Sequence, residues 1–171
     1  MKVISDTTVI SNFASIGEMS LLQRLYDRLY IPVEVYDEIV QGLREGYGFY
    51  RVVEPVLSPL CREGWIEMVS LAGEAEIAFL GSLPTRLGRG EASCLSIAKH
   101  RKWLLLTDDK AAREEARKHG VPVSGSVGSL VLAVERKHCS LHQANRWLEE
   151  MIRQGYRSPM SDMSVLVEGK R

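Results

Sequence analysis

The sequence has few cysteines, no excess of charge of either sign, and no long apolar run. Its three cysteines, Cys61, Cys94 and Cys139, are odd in number and far apart. That spacing excludes a disulfide framework and a structural zinc site, which draws on closely spaced pairs. Buried or inert thiols are the expectation, and with them a reducing compartment such as the cytoplasm. Lys plus Arg and Asp plus Glu both number 22, so the net charge is zero. A chain devoted to gripping phosphate backbones would be basic overall. A local basic rim around an acidic pocket is nevertheless compatible with a neutral sum. The first apolar stretch, Val3-Ile4, is broken at once by Ser5-Asp6, and no later run could cross a bilayer. No membrane association is expected.

What is present fits one globular domain over 1–171, with hydrophobic residues at 45% and charged residues at 26%. Short apolar segments at 2–6, 30–32, 65–69, 103–107 and 121–123 have strand character. Between them lie segments of helical periodicity at 9–14, 21–29, 33–40, 72–83, 89–98, 110–119, 126–134 and 141–152. Ser20 and Ser140 are expected N-caps, Pro32 an expected helix start and Gly120 a helix stop. Residues 42–60 are punctuated by Gly42, Gly46, Gly48, Pro55 and Pro59 and carry Tyr47, Phe49 and Tyr50. This region is expected to be an irregular or partly helical insertion. Beyond Gly155 the pattern is ambiguous. Strands alternating with helices predict an α/β protein with a parallel sheet covered on both faces. The run Trp103-Leu104-Leu105-Leu106-Thr107 supports this, being apolar enough to be buried on both sides.

In such sheets, sites lie beyond the carboxyl ends of the strands, and the residues there are acidic. Asp6 follows the first strand and Asp108-Asp109 follow the long apolar one. Glu91 sits on the first turn of the helix leading into that strand, and Glu38 lies on the helix after Pro32. If the first and the long apolar strand are neighbours, these carboxylates crowd one edge. Crowded carboxylates repel unless a cation lies between them. Magnesium or manganese suits oxygen ligands and can activate water toward a phosphoryl group, so phosphodiester hydrolysis is the implied chemistry. Each acid also has a bland reading. Asp6 could cap the next helix, Glu91 could serve the helix dipole, one of Asp108 and Asp109 could be an N-cap, and Glu38 could be solvated. His100, His119, His138 and His142 have no partner at metal spacing and read as surface residues.

Four segments in series resemble the PIN domain: Val3-Ile4-Ser5-Asp6-Thr7-Thr8-Val9-Ile10, Ile31-Pro32-Val33-x-Val35-x-x-Glu38-Ile39, Gly88-Arg89-Gly90-Glu91-Ala92, and Leu106-Thr107-Asp108-Asp109-Lys110-x-x-Arg113. The segment Val123-Ser124-Gly125-Ser126-Val127-Gly128-x-Leu130 is similar to the closing strand and helix of a prokaryotic subgroup of that family. The resemblance implies a three-layer α/β/α fold and a Mg²⁺- or Mn²⁺-dependent endoribonuclease, of the kind common among toxins of toxin–antitoxin pairs. It implies Asp6, Glu38, Glu91, Asp108 and Asp109 as catalytic candidates. Among these, Asp6, Glu91 and Asp108 or Asp109 would be metal ligands. The family's usual spacing after Thr favours Asp109, whereas Asp108 is nearer the strand end. Thr7, Thr107 and Ser126 would be hydroxyls that hold carboxylates or metal waters, and Arg89, Lys110 or Arg113 would contact phosphates. RNA as substrate, an antitoxin partner and a homodimer are further implications. The stretch between Glu38 and Glu91 is longer than in compact toxin members.

Two other readings compete with the nuclease. A catalytically degenerate PIN-like module binding RNA or a protein partner is suggested by the glycine-rich aromatic segment 46–50 and the neutral net charge. A receiver domain or aspartate phosphatase is suggested by Asp6 after the first strand. The phosphatase needs Asp-x-Asp, and the residue two after Asp6 is Thr8. The receiver needs its phosphorylated Asp after a central strand and a later Lys, and that layout is not met.

Overall fold

The computed structural model describes residues 1–168. The chain runs β1 (Val3–Ser5), α1 (Thr7–Ser15), α2 (Met19–Tyr26), β2 (Leu29–Pro32) and α3 (Val33–Arg44). Two 3₁₀ turns, Gly48–Val52 and Glu54–Val56, lead into β3 (Leu57–Ser58) and β4 (Ile66–Val69). Then follow α4 (Gly73–Ser82), α5 (Arg89–Arg101), β5 (Leu104–Leu106), α6 (Lys110–Lys118), β6 (Val123–Ser124), α7 (Ser126–Glu135), α8 (Leu141–Arg153) and α9 (Ser164–Glu168). No helix among the described residues is long and apolar enough to cross a membrane.

All six strands are parallel, in the order β3-β4-β2-β1-β5-β6. The fold is the three-layer α/β/α arrangement that the alternation predicts. One set of helices, α3, α4, α5 and α6, packs together; a second set joins α1, α2, α7 and α8. Between the layers Ile4, Ile31, Ile66, Leu105 and Leu106 are fully buried, as strands covered on both faces require. The chain steps from β1 to β2 on one side and later returns to place β5 on the other side of β1. Register fixes Val3 opposite Leu104 and Ser5 opposite Leu106. Strand order therefore reverses between β1 and β5, and the crevice of such a sheet opens at the carboxyl ends there.

Local signals account for most helix boundaries. Asp6 caps α1 by accepting from Thr8 N, and Ser140 caps α8 by accepting from Gln143 N. Pro32 occupies the N-cap position of α3. Three expectations need correction. Leu29, expected at the end of the helix 21–29, instead opens β2, because Asp27 at φ 62° ends α2. Ser20 is not an N-cap: it lies inside α2, which begins at Met19 with no side-chain cap. The reason is packing, because Met19 is only 7% exposed and extends the buried face of Leu22 and Leu25 by one turn. The last strand is also displaced, to Val123–Ser124. Pro122 has no N–H to give the ladder, and the Val121 amide instead donates to Ala116 O at the end of α6.

Residues 42–60 hold the end of α3, both 3₁₀ turns and β3, anchored by buried Tyr50, Val53 and Leu57. Gly42 makes this packing possible, since a Cβ there would stand 2.6 Å from Tyr50 Cε2. Alanine in a helix interior usually stabilises relative to glycine by up to about 1 kcal/mol. Here the clash decides the sign, and Gly42→Ala is expected to lower stability by about 1–3 kcal/mol. Urea denaturation reads this directly; an unchanged or raised midpoint would show that Tyr50 moves aside without cost.

Candidate functional site

Asp6 follows β1 and is completely buried. Its Oδ1 accepts from the Thr8 backbone N–H (2.9 Å) and the Thr8 hydroxyl (2.6 Å), whereas Oδ2 is buried without any donor. Loss of solvent pushes its pKa up to about 7. The neighbouring Thr107 and Thr8 hydroxyls pull it down, and the Glu91 charge adds to the rise. Asp6 is thus both a helix cap and a carboxylate left half satisfied in a dry place.

Glu91 lies in the first turn of α5, and its Oε2 is likewise buried with no partner. Burial raises its pKa, and Glu38 and Asp109 raise it further. Glu38 is held in place by two donors, the Thr7 hydroxyl on Oε2 and the Gly90 N–H on Oε1 (3.0 Å). A Cβ on Gly90 would stand 2.7 Å from Glu38 Oε1, so glycine is what lets the carboxylate reach the backbone of α5. The sheet thereby brings Asp6, Glu38 and Asp109, from the end of β1, α3 and the end of β5, within electrostatic reach of Glu91 on α5. Cys94, buried beneath them and donating to Ser5 O (3.3 Å), registers the same field. Burial first, and then Asp6, Glu38 and Glu91, hold its thiol protonated.

The two adjacent aspartates have different neighbours. Asp109 caps α6, its Oδ1 accepting from Ala112 N (2.7 Å), and its own N–H donates to Thr107 Oγ1 (3.1 Å). Asp108 accepts from Ser126 N (2.9 Å) and Tyr156 OH (3.0 Å) on Oδ1, and from Asn12 Nδ2 (2.9 Å) and Ser126 Oγ (2.5 Å) on Oδ2. Its amide donates to Thr8 Oγ1 (2.9 Å), the same hydroxyl that serves Asp6. The Asp108 oxygens are therefore filled by protein donors, while Asp109 keeps one oxygen outside its cap. Burial and the facing Asp108 charge hold the Tyr156 hydroxyl well above its ordinary pKa, as a donor.

The remaining candidates divide in the same way. Thr7 holds Glu38 and Ser126 holds Asp108, and the Thr107 hydroxyl receives the Asp109 N–H while lying close enough to Asp6 to lower its pKa. Arg113 spends Nη1 on the carbonyls of Thr107 (2.8 Å) and Ser124 (2.9 Å), tying the ends of β5 and β6 together. Lys110 and Arg89 are exposed, and Arg89 shares with Glu38 a cleft of about 680 Å³. Sequence reasoning missed Asn12, Tyr50 and Tyr156. Tyr50 sits by Ser11 with Glu38 and Asp6 near enough to raise its hydroxyl pKa, after the larger effect of burial. Asn12, two helical turns from Asp6, carried a faint signal; Tyr156 carried none. The three cysteines are free thiols and only Cys94 is fully buried.

Among the described residues, no group of three or more His, Cys, Asp or Glu side chains is close enough to hold a metal ion by itself. Two buried carboxylate oxygens without donors, on Asp6 and Glu91, do fit a divalent cation. Magnesium characteristically takes one or two carboxylates and completes its octahedron with water and phosphate oxygens. A family model described as PIN domain matches residues 2–167. No curated protein matches the chain.

Proposed function

Since the chain belongs to the PIN-domain family, a nuclease-type fold, we propose that it is a Mg²⁺- or Mn²⁺-dependent endoribonuclease. The observation that carries this reading is the pair of donorless buried oxygens, Asp6 Oδ2 and Glu91 Oε2, at the sheet's switch point. In water such carboxylates would be hydrated; in a dry crevice they cost stability unless a cation or proton meets them. Asp6 and Glu91 would hold the ion, with the Asp109 charge nearby adding to the field that favours it. When bound, the ion supplies Lewis-acid neutralisation of phosphoryl charge and lowers the pKa of water. Glu38, fixed by Thr7 and Gly90, would orient water, and Asp108 would brace the end of β5 rather than bind the ion. Hydrolysis forms a bond from a water oxygen to phosphorus and breaks the ester P–O bond, leaving one phosphate monoester and one hydroxyl end.

The finer form of the proposal is the toxin half of a toxin–antitoxin pair, with an antitoxin partner and a homodimer as its assemblies. The test is incubation of a mixed single-stranded and structured RNA pool with wild type and Asp6→Asn, in Mn²⁺, Mg²⁺ or EDTA. Cutting is expected with either ion, absent in EDTA and reduced at least ~10²-fold in the variant; equal cutting by a folded Asp6→Asn protein would refute it. The absence of a three-ligand group among the described residues favours a second reading, a non-catalytic module that binds RNA or protein. Manganese binding without cleavage of any pool would support that module.

A further inference from the structure

We infer that the groove between α6, β6, α7 and the segment around Tyr156 carries the phosphate backbone of a single RNA strand running into the carboxylate site. It rests on the nuclease reading and names the path that the substrate takes. The groove encloses about 820 Å³ and begins at Asp108. That residue directly precedes Asp109 at the end of β5, and its amide shares Thr8 Oγ1 with Asp6 Oδ1, so the groove ends against the strand end that carries the site.

Charge separates this groove from the other cleft at the site. Lys110, Arg113, Arg117 and Arg157 all line it. Among the described residues Lys110, Arg117 and Arg157 make no ion pair, and all three are exposed. Three carboxylates also line it, Asp108, Glu114 and Glu135, so four cations face three anions, and Glu114 stands 3.8 Å from Arg86. The cleft beyond Glu38 is the reverse: Glu34, Asp37, Glu38 and Glu45 outnumber Arg44 and Arg89. A chain whose charges sum to zero thus places a net positive wall on the β6 side and a net negative one on the α3 side. A polyanion is drawn to the first and repelled by the second.

The spacing along α6 suits an extended strand. Lys110, Arg113 and Arg117 recur at three and four residues, so they share one helix face and span roughly 10 Å. Arg157 comes from the segment packed alongside. Beneath the cations the floor is apolar, formed by Val123, Val127 and Val131, which accepts unpaired base faces better than a duplex bound through its phosphates alone. An acidic amphipathic peptide would meet the same rim and floor. The place of Asp108 on its wall, next to Asp109 at the end of β5, favours the nucleic acid.

The experiment is fluorescence anisotropy of a labelled single-stranded oligouridylate in EDTA, across a salt series. Wild type is compared with Arg117→Gln/Arg157→Gln and with Arg51→Gln/Arg62→Gln, which removes exposed cations near the opposite sheet edge. Each phosphate left without its cation lowers the slope of log affinity against log salt by about 0.7. The groove variant is expected to lose a slope of about 1.4 and at least about tenfold in affinity at low salt, while the control keeps both. RNA binding unaltered in the groove variant would overturn the path and leave the nuclease intact. Wild type that ignores RNA but binds poly-glutamate, with that binding lost in the groove variant, would make the groove a peptide surface. Neither RNA binding nor cleavage of the pool would sink the path and the nuclease together.

Discussion

Metal-free Asp6→Asn protein should be more stable than wild type at pH 8, by about 1–3 kcal/mol, although the substitution removes a residue placed at the centre of the chemistry. The carboxyl of Asp6 is wholly buried, and its pKa rises from 3.8 to about 7 on folding for that reason. Between those values the folded state keeps a proton that the unfolded state releases. Stability therefore falls as pH rises from about 4 to about 7 and levels off above. Three pKa units correspond to about 4 kcal/mol as an upper bound. Asparagine escapes that penalty, but its amide nitrogen lacks an acceptor if it takes the place of the donorless oxygen, at a cost of about 1–3 kcal/mol. The gain should shrink to nothing or reverse at about pH 4. Urea denaturation in EDTA at the two pH values checks it; a variant less stable than wild type at pH 8 would mean that Asp6 is satisfied in some other way. Added Mn²⁺ should then stabilise wild type by about 3 kcal/mol at a hundredfold excess over its Kd, and the variant by much less. That response reports ion binding independently of cleavage.

Asp108→Ala should be among the most damaging single changes in the chain, lowering stability by about 3–5 kcal/mol. Its carboxylate gathers four donors from three separate places: Asn12 on α1, the Ser126 amide and hydroxyl on α7, and the Tyr156 hydroxyl beyond α8. Alanine leaves the Ser126 amide, the Ser126 hydroxyl and the Tyr156 hydroxyl without this acceptor, while Asn12 Nδ2 keeps only Ser126 Oγ (3.0 Å), and unpaired buried donors cost more than the bonds are worth. Asp108→Asn keeps one oxygen and should cost about 1–2 kcal/mol. The same comparison separates the two adjacent aspartates. Asp109→Asn should preserve the cap on α6, because asparagine caps as well as aspartate, yet weaken the stabilisation by Mn²⁺. Asp108→Asn should leave that stabilisation in place. The opposite pattern, read by thermal shift, would make Asp108 the ligand.

Much of this is legible in the sequence because parallel sheets expose their chemistry at predictable places. Asp6, Glu91 and the Asp108-Asp109 pair follow or flank strands, and strand length and apolar content identify β1 and β5 from residues alone. The roles of the two aspartates are not legible. Adjacent residues of one type differ only in which way the backbone turns them, and that depends on Asn12, Ser126 and Tyr156 arriving from 96, 18 and 48 positions away. Ser20 misleads because a capping residue type is a local signal, while the start of α2 is set by burial of Met19. β3, only two residues long, offers no periodicity to detect. The position of Tyr50 likewise depends on the space above Gly42, a contact that spacing along the chain does not encode.

The two outermost strands, β3 and β6, are two residues each, with Pro59 directly after one and Pro122 directly before the other. A foreign strand seeking to extend the sheet would find too few free amide and carbonyl groups on either side to compensate its own ordering. The native protein is therefore guarded against aggregation by strand addition at both margins. Fibrils, where they form, should follow partial unfolding that exposes the longer apolar segments around β4 and β5, so their onset should track global stability rather than concentration alone.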